Sequence, residues 1–164
     1  MLGLLLAGSG AVIALLIPDA PLSYAFLRNT VSVVGAVVPA VDRIGEQSPI
    51  SEVAQTYWAV MWIWSLLWLP LFFMLTDEQV RPLGAARRRP WIYRFSPLIV
   101  ILVLAYMLFA PFRGGVLEGM LGSRWGLAIL GSVLFASVPL FIRACFTWYR
   151  YLPLLDSPSS DAGR

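Results

Sequence analysis

The side chains of this sequence that could do chemistry are few, and one common type is missing. There is no histidine, which removes the commonest metal and haem ligand and the usual proton carrier near neutral pH. The single cysteine, Cys145, excludes an intrachain disulfide and is interpreted as a small apolar filler. Zinc-protease, serine-hydrolase, phosphate-loop and paired-cysteine motifs do not occur. We therefore expect no enzyme activity, no cofactor and no metal site.

The carboxylates are the remaining candidates for acid–base chemistry or cation binding, and all nine lie outside the apolar runs of the sequence. They are Asp19, Asp42, Glu46, Glu52, Asp77, Glu78, Glu118, Asp156 and Asp161. Ion- and proton-coupled carriers usually place an ionisable group inside the membrane. This distribution counts against a self-contained pump or carrier, whereas an oligomeric channel stays open as a less favoured alternative.

The most unusual cluster is aromatic. The stretch 56–75, TYWAVMWIWSLLWLPLFFML, carries four tryptophans within eleven positions. On a helix, one half collects aromatic side chains around a serine, and the other half is aliphatic. The aromatic half is a candidate partner or helix-packing face, formed by Trp58, Trp62, Trp64, Ser65, Trp68 and Phe72. It either packs inward against small residues of the first and fourth apolar runs, which we favour, or docks a partner helix, an apolar ligand or a lipid.

The densest charge is the stretch RRRPWIYR at 87–94. Its arginines, Arg87, Arg88, Arg89 and Arg94, are interpreted first as topology signals next to a membrane. The functional alternative is contact with anionic lipid or with an acidic cytosolic partner. Nucleic acid is not expected as a partner, because the basic patch is short and adjacent to the membrane.

Apolar helices are the elements that must position these groups. The chain is 59% hydrophobic and 13% charged, whereas soluble domains carry about 25% charged residues. Four runs without charge, at about 2–17, 57–75, 95–112 and 125–142, predict four transmembrane helices, of which the first is short. The first run lacks a basic start, which favours an uncleaved helix over a signal peptide.

The arginines also predict an orientation. Eight lie in the link between the second and third runs or after the fourth run, and four lie on the opposite side. The positive-inside rule then places both termini in the cytoplasm. The exclusive use of arginine as the basic residue and the small size suggest a bacterial inner membrane.

The first outer loop carries a pattern of its own over residues 28–44. Val31, Val33, Val34, Val37, Val38, Val41 and Ile44 fall on one half of a helix, and polar residues fall on the other half. We predict an amphipathic helix in the membrane interface, kinked at Pro39. A re-entrant or extended segment is the alternative.

These expectations combine into one fold hypothesis and several functional ones. The fold class is all-α: a polytopic membrane protein with four transmembrane helices in one domain over 1–155, an interfacial amphipathic helix, and a disordered cytoplasmic tail over 156–164. The favoured function is a non-enzymatic interaction protein, an accessory or structural subunit of a secretion or conjugation machine. An immunity- or exclusion-type protective protein is the alternative, on fold-level analogy. The partners would be membrane lipids and a membrane protein or a second copy.

Overall fold

The computed structural model describes residues 2–74, 90–109, 119 and 122–155, and for residues 90–94, 96, 97 and 148–155 it describes the backbone alone. Within these ranges the chain forms helices joined by turns and contains no strand. The predicted all-α class is therefore confirmed for the part of the chain that the structure describes.

The helices follow one another with short connections in the first half of the chain. In order they are α1 (Leu2–Leu16), a 3-10 turn (Pro21–Ser23), α2 (Ala25–Val37), α3 (Ala40–Gln47), α4 (Ser51–Phe73), α5 (Pro90–Phe109) and α6 (Ser132–Leu155). An α-helical turn (Arg124–Gly126) and a π-helical turn (Leu127–Gly131) lead directly into α6.

Two of the described helices are long and apolar enough to cross a membrane, by length and composition: α4 and the segment Arg124–Thr147. The pair α2 and α3 would add a third candidate span if the two helices cross together. Helix α1 and the Leu98–Phe109 part of α5 are apolar but shorter. The structure thus contains two to three candidate spans, and the set of four stays a prediction.

The helix bounds differ from those of the apolar runs. Helix α4 begins at Ser51, six residues before the second run, and α6 extends to Leu155, well past Ile142. A run without charge identifies the part of a helix that suits lipid. It does not identify the helix ends, because a helix can continue into water with polar side chains on its surface.

The segment after α1 differs most from the expectation. The sequence predicts one kinked helix over 28–44, whereas the structure has two helices, α2 and α3, which meet at 115°. Val38 precedes Pro39 and has a non-helical backbone, with φ −119° and ψ 87°, because the proline ring disfavours helical geometry in the preceding residue. A single helical wheel therefore does not apply across this bend.

Within α2 the covered side differs from the predicted apolar half, and this difference lies before the bend. Val31 and Gly35 of α2 are buried, whereas Val33 and Val37, which the wheel placed with Val31, are exposed. In α3 the buried side is formed by Ala40, Val41, Ile44 and Gly45. Both helices pack on α4, so the first half of α4 is covered by α2 and α3.

Two glycines allow this close packing. A Cβ atom at Gly45 would overlap the Gln55 side chain of α4. A Cβ atom at Gly35 would lie 3.1 Å from Oδ1 of Asp42, whose carboxylate reaches back across the bend. An added methyl group would therefore require Gln55 to move at the first position and a small shift of Asp42 at the second.

The remaining helices lie alongside α4 in an order that their contacts define. Helix α1 is antiparallel to α4, because Ser9 contacts Trp64 while Gly10 lies beside Met61. Helix α6 runs parallel to α4, with Ser132 near Tyr57 and Phe146 near Phe73. Helix α5 packs against α6. The main core surrounds α4 and includes buried residues of α1, α2, α3 and α6.

Candidate functional site

Phe135 of α6 is the centre of an aromatic cluster that we call the aromatic interior: Tyr57, Trp58, Trp62 and Phe135. Three rings of α4 meet Phe135 in edge-to-face geometry, with centroid distances of 4.8 Å for Trp58, 5.6 Å for Trp62 and 6.4 Å for Tyr57. Trp58 and Phe135 are fully buried. Such pairs contribute roughly 0.5–1.5 kcal/mol each beyond the burial of area. The Phe135 ring of α6 thus contacts three aromatic side chains of α4.

Glycines of the two neighbouring helices provide the space for this cluster. A Cβ atom at Gly131 would lie 2.6 Å from Cε1 of Tyr57, and one at Gly10 would lie 2.7 Å from Cε of Met61. Both distances are too short for a real side chain. Small residues allow membrane helices to approach closely, and here each glycine lies directly against a large residue of α4.

Hydroxyl groups join the same helices through hydrogen bonds. Ser65 of α4 donates from Oγ to the backbone carbonyl of Phe135 at 3.2 Å. The Ser132 hydroxyl donates to the carbonyl of Ala128 within its own helix, so it accepts from the Tyr57 hydroxyl, at an O···O distance of 3.3 Å. These bonds satisfy buried polar groups that would otherwise destabilise an apolar interior.

The other half of the predicted aromatic face lies against α1. Trp64 donates from Nε1 to the Ser9 hydroxyl at 2.8 Å, and its ring lies 6.3 Å from that of Trp68. Both indoles are half-buried. Phe72 is buried and shares a smaller cluster with Leu6 of α1 and Ala136 of α6.

The structure thus brings all six residues of the predicted face to the α1 and α6 side of α4. Trp58, Trp62, Ser65 and Phe72 are buried, and only Trp64 and Trp68 keep part of their surface open. The opposite, aliphatic half is exposed, with Ile63, Leu66, Leu67, Leu71 and Met74 on the surface. A partner on the aromatic side would meet mainly the edges of two indoles.

The predicted basic site cannot be placed in the same way. Arg87, Arg88 and Arg89 lie outside the described residues, and for Arg94 the structure describes the backbone, within the first turns of α5.

The structure identifies a different arginine, Arg143, as a buried charged residue. It lies within α6 and is 8% exposed. Its Nη1 donates to the hydroxyl of Thr147, one turn further along, and that hydroxyl donates to the Arg143 carbonyl at 3.1 Å. The guanidinium carbon lies 5.7 Å from the ring centre of Phe73 at the end of α4, and the Phe73 ring lies 5.3 Å from that of Phe146. The sequence analysis counted Arg143 only among the arginines that follow the fourth apolar run.

A signal for this position exists in the sequence. The residues after Arg143 are again mostly apolar or aromatic, in the stretch ACFTWYRYLPLL. Such a stretch favours continuation of the helix, so that an arginine after Ile142 stays inside the packed element.

Two further arginines bind carbonyl groups at helix ends. Nη1 of Arg124 donates to the carbonyl of Ile17, just after α1, at 2.6 Å, and its Nη2 forms an ion pair with Asp19. Arg43 of α3 donates to the carbonyl of Phe109, the last residue of α5. The last four carbonyls of a helix have no partner within it. Each arginine therefore donates a hydrogen bond to a carbonyl at the end of a different helix.

Several of the described polar side chains therefore hold helices together. Among the described residues there is no group of three His, Cys, Asp or Glu side chains that could hold a metal ion. Cys145 is a free thiol and is half-buried.

One helix presents a large apolar surface. We call it the α5 outer face, defined by Phe95, Leu98, Ile99, Leu102, Tyr106 and Phe109, all exposed. The opposite side of α5, with Val100 and Met107 buried, packs against α6, and the end of the helix contacts α3. Three of the six residues of the α5 outer face are aromatic.

No family model matches this chain, and comparison with curated proteins and with solved structures finds no significant match.

Proposed function

We propose that the protein is a non-enzymatic integral membrane interaction protein with four spanning helices, α1, α4, α5 and the helix from Arg124 into α6. The support is the apolar surface. Large aliphatic side chains of all four helices lie on the surface, although the chain also has a buried apolar core. A surface of this kind is costly in water and suits lipid.

The arginine count favours an orientation with both termini in the cytoplasm and α2 and α3 on the outer side. Helix α2 exposes Phe26, Val33 and Val37, whereas the exposed residues of α3 include Asp42, Arg43 and Glu46. In the proposed arrangement α2 rests in the membrane interface and α3 faces water. A bacterial inner membrane is the proposed location.

The observation that carries the interaction function is the α5 outer face. Its residues recur at the spacing i, i+3, i+4, i+7, i+11 and i+14, which aligns them in one stripe along the helix. A neighbouring helix packs into such a stripe through large side chains. The exposed side of α4 has the same spacing, so the distinguishing feature of the α5 outer face is its three aromatic rings. Aromatic residues are enriched at interaction hot spots, so we assign this face to a helix of a partner membrane protein within a larger complex.

Co-purification tests the proposal. The tagged protein is extracted from its native membrane in a mild detergent, and the accompanying proteins are identified by mass spectrometry. We expect a stoichiometric membrane protein, whose recovery falls at least several-fold in the double variant Ile99→Ala and Leu102→Ala. The matched control is Leu66→Ala with Leu67→Ala on α4, because these side chains are similarly exposed.

The other outcomes of this experiment point to different functions. A protein recovered alone, and protecting a susceptible cell when expressed alone, would replace the accessory role by an immunity- or exclusion-type role. Recovery of further copies of the same chain, with conductance after reconstitution, would replace it by an oligomeric channel. Equal loss of the partner in both double variants would remove the assignment to α5.

A further inference from the structure

The last helix contains one turn with an additional residue. Leu127–Gly131 forms a π-helical turn between the α-helical turn Arg124–Gly126 and α6. In a π turn each hydrogen bond joins residues i and i+5 instead of i and i+4, so the turn holds one residue more than an α-helical turn. Such turns are rare and lie frequently at functional sites. The sequence of the turn, LAILG, contains no proline that would force it, so we attribute it to the contacts on its two sides.

Before the turn, the last helix is fixed to α1. Nη1 of Arg124 donates to the Ile17 carbonyl at 2.6 Å, and Nη2 forms an ion pair with Asp19. We call these two contacts the Arg124 clamp. The π turn itself also packs mainly against α1, with Leu127 and Ala128 buried.

After the turn, the same helix is fixed to α4. A Cβ atom at Gly131 would lie 2.6 Å from a Tyr57 ring atom, so the ring lies directly against this residue. The Ser132 hydroxyl accepts from the Tyr57 hydroxyl at an O···O distance of 3.3 Å, and it donates to the carbonyl of Ala128 within the π turn. The two sides of the turn are therefore held by two different helices.

A regular α-helix cannot keep both sets of contacts. Each residue of an α-helix adds about 100° of rotation and about 1.5 Å of rise. If the additional residue left the turn while the part after it kept its place on α4, the part before it would rotate by about 100°. Arg124 would then point away from the Ile17 carbonyl. The additional residue would join the connection that precedes the helix.

We propose that the π turn is a conformational switch that the Arg124 clamp controls. In the first state, which the structure shows, the clamp is closed and the turn is π-helical. In the second state the clamp is open, the turn is α-helical, and the end of α1 is released from the last helix. The side chains of Arg124 and Asp19 are 28% and 98% exposed, so the clamp can be opened from the surface. The switch goes beyond the proposed interaction function and does not depend on α5.

Single-residue deletions in the purified protein test the switch. Deletion of Ile129 removes the additional residue and should leave a continuous α-helix. Deletion of Val133 is the matched control, because both side chains are 60% exposed but Val133 lies in the α-helical part. We expect the Ile129 deletion to melt close to wild type. The Val133 deletion should melt at a much lower temperature, because either Ser132 or Phe135 must then leave its place against α4.

Hydrogen exchange reports on the clamp in the same variants. The amides in the last turn of α1 should exchange about tenfold faster in the Ile129 deletion than in wild type, the effect of one lost charge-assisted hydrogen bond. Arg124→Gln should produce a similar increase. The two changes combined should produce no further increase, because each leads to the same open state and their effects are then not additive.

Three results would overturn the proposal. The first is an Ile129 deletion that fails to fold or melts at the same temperature as the Val133 deletion. The second is an Ile129 deletion that leaves the exchange of α1 unchanged. The third is a combined variant whose increase equals the product of the two single increases, because the turn and the clamp would then act independently. Partner recovery enters none of these measurements, so the switch and the assignment of α5 fail separately.

Discussion

At the scale of single residues, the interior is built from large rings placed against positions without side chains. Gly131 lies under Tyr57 and Gly10 lies beside Met61. Hydrophobic transfer from water contributes little between helices that both lie in lipid, so fit of this kind is the main source of affinity. The sequence indicated the aromatic half of α4 and the small faces opposite, but not which glycine meets which ring, because that depends on the depth at which two helices cross.

Substitution of Gly131 by alanine tests this fit. The added methyl group would lie 2.6 Å from a Tyr57 ring atom, so α6 must move away from α4, and we expect a loss of roughly 1–3 kcal/mol. Gly8→Ala is the control, because a Cβ atom at Gly8 has no neighbour within 4 Å. Tryptophan fluorescence during thermal unfolding in detergent measures both. A melting temperature for Gly131→Ala equal to that of Gly8→Ala would contradict the contact.

The double variant Trp62→Leu and Trp64→Leu separates inward packing from docking. The Trp62 ring packs edge-to-face against Phe135, and Trp64 donates a hydrogen bond to Ser9. We expect a loss of about 1–3 kcal/mol in stability with partner recovery preserved. The loss is limited, because Nε1 of Trp62 is buried without a hydrogen-bond partner among the described residues and its removal costs nothing. Loss of the partner with unchanged melting temperature would assign docking to these rings.

At the scale of elements, the helix class follows from the sequence, but bends and ends do not follow from apolar periodicity. Pro39 identifies the place of the break between α2 and α3, yet the angle of 115° depends on packing against α4 and on Asp42 reaching Gly35. Likewise the first two turns of α4 carry polar residues and are helical because α3 covers them. Tertiary contacts decided both outcomes.

The end of α1 offers a test at this scale. Arg124 binds the Ile17 carbonyl and the Asp19 carboxylate, and the Asp19 side chain is 98% exposed. An exposed ion pair contributes only about 0–1 kcal/mol, so the carbonyl contact should dominate. We expect Arg124→Gln to increase hydrogen exchange of the amides in the last turn of α1, and Asp19→Asn to leave it nearly unchanged. The same increase in both variants would show that the ion pair holds the helix end.

At the scale of the whole molecule, large apolar side chains lie on the described surface of the helices, which is compatible with a helix bundle in a membrane, and the proposed number of spans can be tested. Helix α1 has 15 residues, about 22 Å at the usual rise, which is shorter than the bilayer core. Its end is fixed to the start of the last helix by Arg124. A helix of this length would span only with flanking residues or with local thinning of the bilayer.

Cysteine labelling tests the proposed topology. In a chain with Cys145→Ser, Ser32→Cys places a thiol in α2, and Ser159→Cys places one near the C-terminus. Helices α4, α5 and α6 separate the two positions, so three crossings put them on opposite sides. We expect an impermeant maleimide to label Ser32→Cys in spheroplasts and Ser159→Cys only after lysis. The inverse pattern would reverse the orientation. Labelling of both from the same side would mean an even number of crossings between them, and the shorter apolar part of α5 would then be the helix that does not span.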